Sequence, residues 1–288
     1  MNQPATQPES SSQAACPSCG DAFVGRYCSQ CGEKRLTEDD KRLRSLLGEL
    51  LSAFMLVDGK LWRTLRALVF DPGRLSRDHA DGRRRIYMKP LGLFLLANVF
   101  YFLLPMMNTF YSTLQLQVGG GFVHSEVARD WVEAEIERRG VAAEQYAEAF
   151  DRKTKSLSKL LLICLAMLFS VPYWLLHGVR SSYFSETAVL SLEMMSFVIL
   201  IFVQAFGTLF WILAKLGLTT GISWTVGELF LSLVGLGLVF YFLLRAERTF
   251  YRAQGRAAWL RAIGGALVFV VVLYIYRALL FFVTYWLV

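Results

Sequence analysis

The balance of polar and apolar positions changes at Pro90. Before it, charged and small polar residues dominate, and apolar residues recur at helical spacing. Leu43, Leu46, Leu47, Leu50, Leu51, Phe54 and Met55 make the i, i+3, i+4, i+7, i+8 stripe of an amphipathic helix. Asp58-Gly59 marks a turn, and Leu61, Trp62, Leu65, Leu68 and Val69 form a second stripe that stops at Asp71-Pro72-Gly73. Both helices are too short and too charged to span a bilayer. They suit the membrane interface, with Trp62 at headgroup depth and Lys60, Arg63 and Arg66 toward water. A soluble helical hairpin packed on the cysteine-rich N-terminal segment is the alternative.

After Pro90 come five apolar blocks, at about 90–107, 157–177, 188–213, 222–244 and 262–287. As helices they are long enough to cross about 30 Å of hydrocarbon. The first is the shortest and is interrupted near its end by Pro105; Pro172 predicts a kink in the second. Gly235-x-Gly237 and Ala262-x-x-x-Ala266 read as small-residue contacts between helices. The predicted fold class is therefore an all-α integral membrane protein of about five transmembrane helices, occupying 90–288. Amphipathic helices and a basic segment precede it at 43–89, and residues 1–15 read as a disordered leader without the apolar core of a signal peptide. Within the loop 108–156, Gly119-Gly120-Gly121 breaks the chain. The remainder is helix-forming, with Val127, Trp131, Ile136 and Val141 as a weak apolar seam. It reads as an extracytoplasmic helical element, a plain linker being the alternative.

Composition fits this picture. Of 288 residues 55% are hydrophobic and 18% charged, below the roughly 25% of soluble domains. The net charge of +7 could suggest nucleic acid, but the basic residues flank apolar blocks instead of forming a binding stripe, so no nucleic-acid partner is expected. Arg83, Arg84, Arg85 and Lys89 precede the first block. Arg245, Arg248, Arg252, Arg256 and Arg261, against Glu247, lie between the fourth and fifth. Positive charge marks the cytoplasmic side, which predicts a cytoplasmic N-terminus and an extracytoplasmic C-terminus.

The strongest chemical signal is Cys16-x2-Cys19 followed by Cys28-x2-Cys31. Two such knuckles aim four thiolates at one centre, a tetrahedral sulfur set that suits structural Zn2+, with rubredoxin-like iron or redox disulfides as alternatives. Gly20 and Gly32 follow the second cysteine of each pair, where the turn favours positive φ. The eight residues between the knuckles suffice for a β-hairpin, and Phe23 and Tyr27 are the expected core of this zinc ribbon at 16–32. Cys164, inside an apolar block, reads as a small buried hydrophobe.

The segment from Asp58 to Pro90 carries Lys60/Thr64/Leu65, Pro72-Gly73, Gly82-Arg83-Arg84, Tyr87 and Pro90. Together with the ribbon, these residues resemble the bacterial membrane proteins grouped as domain of unknown function 3667. The resemblance implies a multi-span membrane protein with a zinc ribbon, hence a bacterial inner membrane, and implies no biochemical activity.

Other candidate residues follow from charge. Arg77, Arg83, Arg84, Arg85 and Lys89 serve topology or bind an anionic lipid headgroup. Asp78, His79 and Asp81 beside them are candidates for an acid–base site. Intramembrane ionisable groups are functional candidates: Arg277, read at mid-depth, could pair with Glu228, while Glu193 lies near the inner end of the third span and Gln204 deeper in it. No GxSxG, HExxH, Walker loop or GxGxxG is present. The leading expectation is a non-enzymatic scaffold organising membrane lipids or a protein partner that docks on the ribbon. Alternatives are a transporter or flippase of an anionic lipid or small solute, and an interfacial lipid-headgroup enzyme.

Overall fold

The computed structural model describes residues 14–23, 25, 27–33, 60–104, 110–120, 122–178, 183–217 and 224–288. The helix expected over Leu43–Met55 lies outside them.

Two short strands, β1 (Ala14–Ala15) and β2 (Ala22–Phe23), pair antiparallel with Ala14 opposite Phe23. The ribbon thus begins two residues before Cys16, inside the segment expected to be disordered. Its strands close around the first knuckle, and β2 is drawn from the segment between the knuckles.

Helix α1 (Leu61–Phe70) buries Thr64 and Leu68 and leaves Trp62 exposed. Asp71 closes it, and after a turn through Gly73 the short α2 (Arg74–Ala80) begins. Helix α3 (Pro90–Leu103) starts with proline at its first turn, where no amide is needed. Its 14 residues reach about 21 Å, short of the bilayer's hydrocarbon core.

Among the described residues, four helical stretches are long and apolar enough to cross a membrane. The first runs from Ala143 to His177 as α6 (Ala143–Leu160) and α7 (Leu162–His177). The second comprises α8 (Phe184–Phe197), a π-helical stretch (Val198–Phe206) and α9 (Gly207–Lys215). The others are α10 (Trp224–Thr249) and α11 (Gly255–Leu287). The blocks expected from 157, 188, 222 and 262 onward are all present. The chain is a multi-span, membrane-type helical protein.

Helix α8 is central: every residue from Thr187 to Phe197 is buried. A helix apolar on all sides belongs inside a bundle, and α3, α7 and α10 surround it. α7 and α11 run antiparallel, with the Phe169 and Phe269 rings 5.8 Å apart and Gly265 leaving room for Tyr173. Gly235 of α10 plays the same part against Phe202, so the small-residue reading holds there. Around Gly237 there is open space. Leu229, Phe230, Leu233 and Leu236 of α10, and Leu260, Ile263, Leu267 and Val271 of α11, form outward apolar stripes. Cys164 also faces outward, contrary to its expected burial; on a lipid-facing surface a small thiol needs no enclosure.

The described residues of the loop 108–156, which are 110–120 and 122–156, form a packed cap. Helices α4 (Leu114–Val118) and α5 (Ser125–Arg139) and the first half of α6 enclose Leu114, Ala128, Val132, Tyr146 and Phe150 against Phe281 of α11. The expected seam is met in part, since Ile136 and Val141 pack on this cluster. Ala128 and Val132 are buried, while Val127 and Trp131 are exposed on the neighbouring face. Small side chains form the inner face because α5 lies close to its neighbours; Trp131 instead covers Phe282 and Tyr285 from outside. α11 has 33 residues, about 50 Å, so its last turns extend past a bilayer core into this cap.

Candidate metal centre and polar sites of the bundle

The four cysteine sulfurs lie within 4.8 Å of one another. Cys16 Sγ is 3.5 Å from Cys31 Sγ, and Cys19 Sγ is 3.6 Å from Cys28 Sγ. These separations far exceed a disulfide bond of about 2.05 Å. They match the edge of about 3.8 Å implied by four sulfurs at about 2.3 Å from zinc. Four cysteines therefore stand where they could hold a metal ion.

Both knuckles use the same backbone pattern. The Cys16 amide donates to the Asp21 carbonyl and the Gly20 amide to the Cys16 carbonyl. Twelve residues on, Cys28 donates to Glu33 and Gly32 to Cys28. Gly20 and Gly32 have φ of 84° and 66°, as the sequence required. The backbone amide of Cys31 and, after it, that of Gln30 aim at Cys28 and bring its thiol down to about 7, against the opposing effect of burial. Tyr27 does not join the core: it is 62% exposed.

The ribbon is fastened to the basic segment through Arg85, a candidate from the sequence, and Glu33, which the sequence did not single out. Glu33 is buried; it accepts from Ser18 Oγ at 2.7 Å and from the Arg85 amide at 3.1 Å. The Arg85 guanidinium donates to the Cys31 carbonyl and lies where a Cβ on Gly32 would be. The signal that could have found Glu33 is its place in the second knuckle, matching Asp21 in the first.

The other arginines are also engaged within the protein. Arg83 pairs with Asp78 at 2.6 Å and with Asp81 at 3.3 Å. Arg77 donates to the Thr249 carbonyl at 2.7 Å and approaches Asp81 at 3.4 Å. The Arg84 side chain reaches the His79 carbonyl at 3.5 Å. Lys89 precedes α3 as its N-cap. Burial, with the positive charges of Arg84 and Lys89, pushes the His79 imidazole down to about 3. Asp78 and Asp81 thus serve arginines, and the structure gives no convergence of both carboxylates with His79 on one open pocket.

The family motif has a structural account. Thr64 Oγ1 donates to the Lys60 carbonyl at 3.0 Å and accepts from the Met88 amide at 3.0 Å, tying α1 to the irregular segment before α3. Gly73 adopts φ 84°, and a Cβ there would come 2.8 Å from Ala246 Cα. Glu193, fully buried on α8, accepts from the Gly73 amide at 2.8 Å, the Ser76 amide at 2.8 Å and the Ser76 hydroxyl. Glu193 is an anchor for the α1–α2 hairpin.

The Arg277 guanidinium lies 5.8 Å from the Phe122 ring, beside the cap that packs on the end of α11. Lys159 lies over Phe102 at 4.1 Å, and Lys215 lies 5.8 Å from Trp211. The three cations lie toward the same end of the bundle, each beside an aromatic ring, as at a membrane–water interface. The Glu228 side chain lies outside the described residues, so its pairing with Arg277 does too. Gln204 is half-buried in the π-helical stretch, its Nε2 without a hydrogen-bond partner among the described residues.

A further polar cluster, absent from the sequence candidates, lies at the opposite end, where the hairpin docks. Glu247 Oε1 is 2.7 Å from Tyr173 Oη and 2.7 Å from His177 Nε2, and both His177 and Glu247 are buried. The lone acid in a basic loop and the histidine closing the second apolar block were its only signals.

Comparison with known proteins adds one finding. Residues 58–102 match the model of a family described as a protein of unknown function, DUF3667. No curated protein and no solved structure matches the chain. The match begins after the cysteines, so the metal centre stands on its own geometry.

Proposed function

We propose that this chain, whose segment 58–102 carries the DUF3667 signature, is a non-enzymatic membrane scaffold that presents a zinc-locked ribbon as a rigid docking knob. One observation carries this reading: Arg85 joins the ribbon to the membrane bundle, its amide held by Glu33 and its guanidinium by the Cys31 carbonyl. A tethered ribbon that only filled space would need no such seat. Zinc at Cys16, Cys19, Cys28 and Cys31 leaves no open coordination position, which suits a structural role. Binding it would supply folding free energy on the order of 10 kcal/mol to a unit too small to fold on a core.

In this reading the ribbon, the hairpin and the loop between α10 and α11 face the cytoplasm of a bacterium, and the cap of α4–α6 faces outward. The Lys/Arg-rich loops support that orientation. Lipids cover the outward stripes of α10 and α11, and a protein partner docks on the ribbon.

The test is metal analysis combined with site-specific crosslinking from the ribbon in membranes. The full-length protein should carry one zinc per chain, lost in Cys28→Ser. A discrete crosslinked partner should disappear in both Cys28→Ser and Arg85→Ala. Unchanged crosslinking in a folded Cys28→Ser protein would remove the ribbon from docking.

A further inference from the structure

Helix α1 has two faces of opposite character, and the bundle uses one of them. Thr64 and Leu68 are buried, and Leu65 and Ala67 pack on the core beside them. At about 100° per residue, Trp62, Arg63, Arg66 and Phe70 fall together on the other side. Trp62 and Phe70 are 77% and 70% exposed, and Arg63 and Arg66 are exposed between them. Neither arginine has an ion pair or a hydrogen bond among the described residues, and α1 contains no acid. Asp71, just past the helix, is already engaged by Arg74 at 3.2 Å and Arg245 at 3.4 Å. The face therefore carries two positive charges with no counter-charge beside them, set between two large aromatic side chains.

The neighbours of α1 fix its depth. Its first half is tied through Thr64 to Met88, two residues before α3. Its end is tied to α10: the Tyr241 hydroxyl donates to the Val69 carbonyl at 3.3 Å, and Arg245 donates to the Phe70 carbonyl at 3.0 Å. The helix thus runs from the start of α3 to the last turns of α10. At that level α10 passes from the outward Leu233 and Leu236, through the partly exposed Tyr241, to Arg245 and Arg248. Apolar side chains giving way to tyrosine and then to arginine mark a membrane–water boundary. The outer face of α1 continues the lipid-facing surface of α10 at this boundary. An amphipathic helix so placed, with aromatic and basic residues outward, is built for headgroup contact. The tryptophan ring suits a site apolar at one end and wet at the other, and the guanidinium fork suits phosphate oxygens.

We propose that the outer face of α1 docks an anionic phospholipid from the leaflet on the ribbon side. Arg63 and Arg66 hold its phosphate, and Trp62 and Phe70 lie against its upper acyl chains. These are not the arginines that stand out by their place before Pro90. Arg77 and Arg83 are occupied by Thr249, Asp78 and Asp81, whereas Arg63 and Arg66, expected to face water, are the pair with charge to offer. The α1–α2 hairpin is anchored by Glu193, so the face is presented at a fixed place on the bundle. The site rests on the membrane reading of the bundle and needs neither the ribbon's metal nor a protein partner.

The test uses full-length protein in phosphatidylcholine nanodiscs with increasing fractions of either brominated phosphatidylglycerol or brominated phosphatidylcholine. Bromine on the upper acyl chain quenches nearby tryptophan, and subtraction of Trp62→Phe isolates the signal of Trp62. Brominated phosphatidylglycerol should quench that signal at a lower fraction than brominated phosphatidylcholine. In each of Arg63→Gln and Arg66→Gln, the fraction of phosphatidylglycerol needed should rise about fivefold. Both side chains are exposed, so the variants should fold as the parent does, and unchanged quenching of the other tryptophans checks this. The proposal is overturned if neither lipid quenches Trp62, which would put water, another segment of the chain or a protein partner on the face. It is also overturned if the two lipids quench Trp62 equally, or if the preference for phosphatidylglycerol survives removal of both arginines.

Discussion

Glu193 receives the amide and the hydroxyl of Ser76, 117 residues earlier in the chain. The carboxylate lies on the most enclosed helix of the bundle, and the residues it holds belong to a hairpin that precedes every long apolar helix. A segment that looks peripheral in sequence is thus fixed to the centre of the membrane domain. Replacing Glu193 with alanine leaves the Gly73 and Ser76 amides buried without an acceptor, at about 1–3 kcal/mol for each group. The expected outcome is a folded bundle with a released hairpin. Limited proteolysis should then cut between residues 60 and 90 in Glu193→Ala at concentrations that leave the parent intact, with Glu193→Gln in between. Equal resistance in all three would refute the anchoring role.

Gly73 carries two separate demands, a left-handed backbone and contact with Ala246. A control separates them. Gly140 has φ 64° and nothing within 4 Å of an added Cβ. Gly140→Ala should cost only the backbone strain, about 1 kcal/mol. Gly73→Ala adds overlap with the α10 backbone and should lose a further 1–3 kcal/mol or so. Thermal unfolding of the two variants in the same detergent decides; a Gly73→Ala protein no less stable than Gly140→Ala would show that α2 can move away from α10 freely.

Periodicity and composition carried the long helices and the sulfur site, because both depend on local spacing. Two cysteines two residues apart make a knuckle wherever they occur, and twenty apolar residues make a span. What eluded the sequence were contacts set by tertiary geometry. Arg277 looked central because it lies ten residues before the end of its apolar block; the contact of its guanidinium with Phe122 depends on a cap that packs on Phe281 one turn further along the helix. Asp78 and Asp81 looked available for chemistry, yet the fold spends them on Arg77 and Arg83. Glu247 looked like one acid in a basic loop, and only the approach of α7 reveals its partners. The arginine run before Pro90 read correctly as basic, but its links to the ribbon and to Thr249 depend on segments far apart in sequence.

Acid stability should report on His79. Its pKa falls from 6.5 to about 3, chiefly through burial and then through Arg84 and Lys89. Above pH 6.5 the side chain is neutral in both folded and unfolded chains and contributes no pH dependence. As pH drops from 6.5 toward 3, the unfolded chain takes up a proton that the folded chain refuses, and stability declines. His79→Gln should flatten the fall in unfolding temperature between pH 7 and pH 4. Glu135, held down to about 2 by Arg138 and then Arg139, gives up stability as pH falls through its ordinary value of 4.5, but it does so equally in parent and variant, so the difference between their slopes reports His79. Identical slopes for parent and variant would place His79 in water.

Arg85 offers the cleanest separation of metal binding from docking. Among the described residues its guanidinium meets the ribbon at the Cys31 carbonyl and at Gly32, and hydrogen-bonds no cysteine sulfur. Arg85→Ala should therefore keep its metal, since the knuckle hydrogen bonds of Cys16, Gly20, Cys28 and Gly32 remain. It should lose the fixed position of the ribbon on the bundle. Spin labels on the exposed Tyr27 position and on exposed Trp62 of α1 would read this directly. A narrow distance distribution in the parent should broaden in Arg85→Ala with zinc content unchanged. If the distribution stays narrow, the Glu33 carboxylate on the Arg85 amide suffices as the seat, since that bond survives the substitution. Glu33→Ala on top of Arg85→Ala would then have to release the ribbon. A ribbon still fixed in the double variant would show that neither contact holds it.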